Sequence, residues 1–358
     1  MDDSLHDFIE QHTGENYLRV QDDLGSGFVR LRAAEAQRRQ AKQDIRSFED
    51  VVIELLRNAR DAGARSIFVA TWNEGKTRRL TMLDNGSGIP RELHETVFEP
   101  FVTSKLDTFH SDRWGVHGRG MALYSIKQNC QNAHIVASAP HLGSVFSVTS
   151  EPSQLPEKRD QSTLPSVTRN DEGALVLKGP HNIARVAMEF AIDERGRVAV
   201  YVGSPAEIAS TLHALADAAA SRLSSIFAQR DDTTPYLQRF AFATEVDELT
   251  ALANELALPI SSRTARRILK GEIGPLPTHL ERLVEQKENG EPATTLAKST
   301  LARRAPAISI EDLEAFERDC LASFMKIAEA YYLESDVAPS VKVNRGDLVV
   351  RIPLVERT

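Results

Sequence analysis

FEDVVIELLRNARDAGA, residues 48–64, is the stretch whose reading decides the fold. Val51, Val52, Leu55, Leu56 and Ala62 supply apolar surface at helical spacing, and Gly63 is a stop signal, so the spacing predicts a helix that ends there. Glu54, Asn58 and Asp61 stand at i, i+4 and i+7 and therefore share one helical face. Three polar residues on an amphipathic helix also suit a plain solvated face. The segments that follow narrow the choice.

SIFVATW (66–72) and RLTMLDNG (79–86) alternate as strands around an NEGKT turn. The second strand runs into DNGSGIP (84–90), where a carboxylate at a strand end is followed by two glycines. Asp84 can accept from an exocyclic amine while Gly86 and Gly88 let a flat ring approach the main chain, although DNG is also an ordinary hairpin turn. VHGRGMALYSIKQNC (116–130) reads as a glycine-led helix. Gly115, Gly118 and Gly120 lie at its mouth, where backbone amides and the positive helix end suit a polyphosphate. The spacing does not follow a strand and lacks the acid of a dinucleotide fold, and the chain has no GxxxxGK[ST]. HIVASA (134–139) and SVFSVTS (144–150) are two more strands, turning at PHLG.

In this order the blocks resemble the GHKL superfamily, the ATPase domains of the gyrase B subunit, heat-shock-90 chaperones, histidine kinases and MutL. ELLRNARDAGA is similar to the N box and DNGSGIP to the first glycine box. FEPFVTSK (98–105) is similar to the block leading into the ATP lid, GVHGRGMALYSI to the second glycine box, and GSVFSV (143–148) stands where the family has its last motif. The resemblance covers about residues 48–150 and implies a two-layer α/β sandwich of the Bergerat type, a mixed sheet covered by helices.

What the resemblance implies transfers position by position. Asn58 would hold Mg²⁺ and Asp84 the adenine amino group, with Gly86, Gly88 and Ile89 bordering the ring. Gly115, Gly118 and Gly120, with Val116, His117, Arg119 and Met121 among them, would face the phosphates of ATP. Lys105 would add positive charge from the lid, roughly 102–117, and Ser144 a hydroxyl near adenine. Glu54 would be the general base, with Asp61 completing the nucleotide face. His110 and His117 are read as polar lid residues.

Family members that hydrolyse ATP carry Glu and Asp where this chain has Glu54 and Asp61, so the resemblance favours a hydrolase. The Phe98-Glu99-Pro100-Phe101 run looks like the kinase F box, and a kinase would need an acceptor histidine, for which only His6-Asp7 comes near. Phosphotransfer stays the alternative.

The rest of the chain divides by composition. Residues 1–47 read as a helical arm, with 28–46 a basic helix suited to a solvated face or a dimer contact. Residues 151–173, rich in Pro, Ser, Thr and charge, read as a linker, and 174–358 as a mixed, mainly helical α+β region of unknown role. Within it, 183–203 reads as a hairpin around Glu194–Gly196, helices follow at 205–228 and 245–286, another at about 309–333, and a terminal hairpin at 341–354. Residues 246–283 resemble a helix-turn-helix unit. Arg263, Arg266, Arg267 and Lys270 form one basic row that could meet DNA phosphates, with Ala257 where the turn usually has glycine. An ATP-gated DNA-binding regulator is thus a further alternative.

Over 358 residues, 51 Asp and Glu outweigh 43 Lys and Arg for a net charge of −8, which argues against a coat-like nucleic-acid binder. Only 6% of residues are aromatic, too few for a single-strand stacking platform. No run approaches the roughly 18–20 apolar residues of a membrane span. The first residues are acidic and two cysteines make no disulfide framework, so a cytoplasmic protein is expected. ATP and Mg²⁺ are the expected ligands, a homodimer is possible, and the client protein is not legible.

Overall fold

The computed structural model describes residues 20–31, 45–104, 110–112, 115–117, 120–169, 175–222, 233–288 and short stretches between 316 and 352. It divides into two units, Met1–Ala293 and Thr294–Thr358.

The first unit begins with a hairpin, β1 (Val20–Gly25) and β2 (Phe28–Leu31). This corrects the expected helical arm over 20–31. Gly25, Ser26 and Gly27 take φ of 78°, 52° and 79°, a left-handed turn that no helix contains. Residues 1–19 and 32–44 of the arm lie outside the described residues. Helix α1 (Phe48–Asp61) follows, started by Ser47 and Asp50 in a reciprocal capping box and closed at Gly63, φ 76°.

Strands β3 (Ser66–Glu74) and β4 (Thr77–Asp84) come next, then β5 (Val102–Thr103), which pairs with β2, and the small hairpin β6 (His110–Asp112) and β7 (Gly115–His117). Helix α2 (Ala122–Asn129) leads to β8 (Asn132–Ala139) and β9 (Gly143–Ser150). The glycine-led helix thus starts later than expected, because Gly115–His117 is held as a strand against β6.

The expected linker is tied down through its first half. Phe48 N donates to Pro156 O at 2.9 Å, Lys158 N to Glu49 Oε1 at 3.0 Å, and the buried Arg78 grips Glu157 through Nε and Nη2 at 2.6 and 3.0 Å. Strands β10 (Ser166–Arg169) and β11 (Leu175–Lys178) form a separate hairpin.

The expected hairpin at 183–203 is instead helix α3 (Ile183–Asp193) and strand β12 (Ala199–Gly203). Asn182 caps α3 by accepting from Arg185 N, and the helix carries buried residues around most of its girth. Its residues that are not buried, Arg185, Glu189, Ile192 and Asp193, recur at helical spacing. Strand β12 lies parallel to β3, with Tyr201 opposite Phe68. The main sheet is therefore five-stranded, β12-β3-β4-β9-β8, and antiparallel except at that edge.

Period-2 alternation gives this sheet two apolar faces. Ile67, Val69, Leu80, Met82, Phe146 and Val148 pack with Phe48, Val52 and Leu55 of α1, Ile126 of α2 and Phe190 of α3. This is the two-layer α/β sandwich. Phe68, Leu83, Val145 and Tyr201 face the other way, against helix α4 (Pro205–Arg222), a 3₁₀ segment (Tyr236–Phe242), α5 (Val246–Glu255) and α6 (Ser262–Leu269). Helix α7 (His279–Glu288) ends the described part of this unit. The second unit shows the terminal hairpin, β13 (Ser340–Asn344) and β14 (Asp347–Arg351). The expected helix at 309–333 lies mostly outside the described residues.

The turn between α5 and α6 contains Ala257 at φ 53°, a left-handed conformation that costs an L-residue about 1 kcal/mol. Its carbonyl accepts from Thr81 Oγ1 at 2.6 Å, which fixes the turn onto the sheet. Ala257→Gly relieves the backbone strain and should stabilise the protein by up to about 0.6 kcal/mol in urea unfolding, after the entropy that glycine adds to the unfolded chain.

Candidate nucleotide site

Helix α1 carries the first three site residues. Glu54 Oε1 accepts from Arg57 Nη1 at 2.5 Å, and the arginine is itself almost wholly buried. Asn58 is half-buried, and its Nδ2 is buried without a hydrogen-bond partner among the described residues. Asp61 Oδ1 accepts from Arg60 Nε at 2.8 Å, and Arg60 Nη1 reaches Glu194 Oε1 at 3.3 Å.

The first glycine loop wraps the C-terminal turn of this helix. Ser87 N donates to Ala62 O at 2.8 Å, and a Cβ on Gly86 would stand 2.9 Å from both Ala62 Cβ and Asp84 Oδ1. A Cβ on Gly88, where φ is 73°, would meet Ala139 O at 1.9 Å, so only glycine fits between the loop and the β8–β9 turn. Asn85 Oδ1 accepts from Arg65 N and Ser66 N at 2.8 and 2.9 Å, pinning the start of β3 to the same loop.

Asp84 ends β4 with only 2% of its surface exposed. Gly86 N donates to its Oδ1 at 2.8 Å, and Ser144 is its register partner on β9. Burial pushes its carboxyl up to about 6, against the opposing pull of the Gly86 amide. Ser144 Oγ lies 3.0 Å from Ser138 Oγ, which also accepts from Ile89 N at 2.7 Å. His94 Nε2 lies 3.1 Å from both Ile89 O and Ser138 O. The residues expected around adenine thus stand together beside the helix that bears Asn58: Asp84, Gly86, Ile89 and Ser144 through hydrogen bonds and strand pairing, and Gly88 through close packing on Ala139.

The phosphate side is described in part. Gly120 O accepts from Phe101 N at 2.9 Å, and a Cβ on Gly120 would come within 2.7 Å of Val102 O. Met121 precedes α2 and is buried with Phe101; among the described residues no side chain caps the helix there. Its first amides can therefore meet an anion. Gly115, Val116 and His117 form β7. Lys105, Gly118 and Arg119 lie outside the described residues.

Sequence reasoning missed Arg57, Arg60, Ser138 and His94. Two of the pairs are local, Arg57 with Glu54 at i, i+3 and Arg60 with its neighbour Asp61, while Glu194 beside Arg60 and Ser138 beside Ile89 and His94 are brought near only by folding.

The chemistry of the donor set suits Mg²⁺ held mainly by phosphates and water. Among the described residues no three His, Cys, Asp or Glu side chains gather as a metal cage, while the Asn58 amide offers one oxygen.

Residues 43–154 match the family described as histidine kinase-, DNA gyrase B-, and HSP90-like ATPase. The DNA mismatch repair protein MutL of Thermus aquaticus is 46% identical over 83 residues, 23% of this chain and 15% of that protein. MutL of Staphylococcus aureus (strain Newman) is 42% identical over 79 residues, 21% of this chain and 12% of that one. The match spans no more than 15% of the length of either relative. Among solved structures, the catalytic domain of the histidine kinase ThkA aligns at 23% identity and TM-score 0.21, covering 34% of this chain and 70% of that one. The N-terminal domain of a DNA repair protein aligns at 14% identity and TM-score 0.24, covering 45% and 62%. Residues 43–154 are an ATP-binding domain of the GHKL type.

The buried Asp84 links stability to pH. Its folded value lies above the unfolded value of 3.8, so the folded state holds the extra proton between about 4 and 6 and loses stability as pH rises through that window. Asp84→Asn should therefore stabilise the ligand-free protein at pH 7.5 by up to about 3 kcal/mol, with the gain gone below pH 4. Thermal melts across pH 3.5–8 would check this, and a variant that melts lower at pH 7.5 would contradict it.

Proposed function

We propose that this chain binds ATP with Mg²⁺ and hydrolyses it. The observation that carries the reading is the buried Asp84 carboxylate, which opens a glycine loop packed against the C-terminal turn of the helix bearing Glu54 and Asn58.

Ionised Asp84 accepts from the adenine amino group, and Gly86 and Gly88 let the loop pack closely enough on Ala62 and Ala139 to hold that carboxylate in place. Asn58 holds Mg²⁺, which when bound neutralises phosphate charge. The amides after Gly120 and the side chain of Lys105 meet the phosphates. Glu54, oriented by its ion pair with Arg57, takes a proton from water as the oxygen bonds to the γ-phosphorus. The β–γ bridging bond breaks, leaving ADP and inorganic phosphate. Closure of the 102–117 lid, coupled to dimerisation or to movement of the second half, is the proposed output.

Glu54→Ala should keep ATP binding and lower turnover by about 10²–10⁴-fold. Asn58→Ala should lose the Mg²⁺-dependent part of binding in isothermal titration. ATP affinity should fall as pH drops through about 6 and Asp84 becomes protonated. With γ-labelled ATP, hydrolysis releases free phosphate; label retained on the protein would favour the kinase alternative instead.

A second reading rests on helix α6. Arg263, Arg266 and Lys270 are exposed along its outer face while Ala265 and Ile268 are buried beneath; Arg267 pairs with Glu272 at 3.3 Å. The helix carries no acidic residue. The MutL relatives are named as DNA mismatch repair proteins, which suits a polyanion on this face. Removing these three cations should flatten the salt dependence of duplex binding by up to about 2.7 log units per log unit of salt. Absence of duplex binding at low ionic strength would end this reading.

A further inference from the structure

Arg60 occupies the penultimate position of α1, between two carboxylates of different origin. Its Nε meets Asp61 Oδ1 at 2.8 Å and its Nη1 meets Glu194 Oε1 at 3.3 Å. Glu194 is the C-cap of α3, lies 40 residues beyond the matched domain, and is buried. Its second oxygen, Oε2, lies 3.3 Å from Arg197 Nε, on an exposed side chain. The guanidinium stays charged, its value raised: burial opposes the charge, and the two carboxylates outweigh it.

The backbone around this cluster is stitched as well. Ala199 N donates to Arg65 O at 2.8 Å where β12 begins its parallel pairing with β3. The exit from α1 and the exit from α3 thus form one junction. Arg60 bridges the two helices by an ion pair at this junction. Ala62, against which Gly86 is packed, follows Asp61 directly. A shift of Asp61 therefore passes at once to the glycine loop that follows Asp84.

We propose that Arg60 is a positioning residue of the nucleotide site, anchored by Glu194, so that the second half of the chain sets how well the first half binds ATP. The inference rests on the nucleotide reading above and adds to it a control point outside residues 43–154. An exposed pair would be worth little, but both carboxylates here are nine-tenths buried, so the geometry of Asp61 depends on the arginine that pairs with it.

The test uses the full chain with Mg·ATP, measuring affinity by isothermal titration and turnover by phosphate release. The variants are Arg60→Leu, Arg60→Lys, Glu194→Gln and the Arg60→Leu/Glu194→Gln pair, each with its melting temperature. Arg60→Leu and Glu194→Gln should each raise Kd and KM roughly three- to thirty-fold, with kcat within about twofold of wild type. Arg60→Lys should lie nearer wild type than Arg60→Leu, and the double variant should bind no worse than Arg60→Leu alone. If Arg60→Leu does not fold, Glu194→Gln and Arg60→Lys decide the matter. Wild type that binds no ATP overturns this inference together with the nucleotide reading. Wild type that binds, with variants that bind equally well, overturns this inference alone, as does a loss confined to kcat and melting temperature.

Discussion

A carboxylate buried at the end of the central strand governs how the surrounding structure is built. Asp84 has β3 on one side and β9 on the other, with Ile67 and Ser144 as its register partners. A charge held there is poorly solvated, and within its own loop it is met by the Gly86 amide. The environment is backbone-rich because glycines stand where the loop meets its neighbours. The carbonyls of Ala62, Ala139 and Asp84 itself occupy the space that side chains on Gly86, Gly88 and Gly143 would need. Ser138, Ser144 and His94 then satisfy the polar atoms that this close approach leaves. The arrangement lowers the stability of the free protein near neutral pH and leaves an acceptor ready for a ligand's donor, a trade common at binding sites.

The matched domain is not structurally self-contained. Strand β12 covers the outer edge of β3, and an uncovered edge is a pairing hazard. Phe68, Leu83 and Val145 present an apolar face that residues 208–273 bury, and Phe68 stacks on Tyr201 with ring centres 4.7 Å apart. Removing the second half at the expected linker would strip one layer from the sheet. Two layers that share a sheet are mechanically joined, and the nucleotide helix lies on one side of it while the α5–α6 pair lies on the other. A buried core transmits such displacements because it is close-packed.

Much of the candidate site's framework was legible from local pattern. The face of α1, the DNG loop and the strands from 66 to 150 follow from 3.6- and 2-residue periods and from glycine placement. Several elements differ from the expectation, among them the strands at 20–31 and 166–169. Phe28–Leu31 is a strand because it turns back on β1 through Gly25–Gly27 and pairs on its other edge with the distant β5. Gly115–His117 is a strand because β6 pairs with it. Ile183–Asp193 is a helix packed into the core with α1, and its narrow polar face, Arg185, Glu189 and Asp193 at four-residue spacing, carries the period that a hairpin reading passes over.

By itself the sequence determined which residue types recur at which spacing, and so the amphipathic helix, the alternating strands and the order of the nucleotide-binding blocks. Those are short-range matters, settled by backbone sterics and by which side of an element is apolar. Only the tertiary structure decided that Arg60 bridges Asp61 to Glu194, that Ser138 holds Ile89 beside Ser144, and that β12 completes the sheet. Each of these contacts joins positions separated by tens of residues or more, and no periodicity records which distant segment a folded chain will bring alongside.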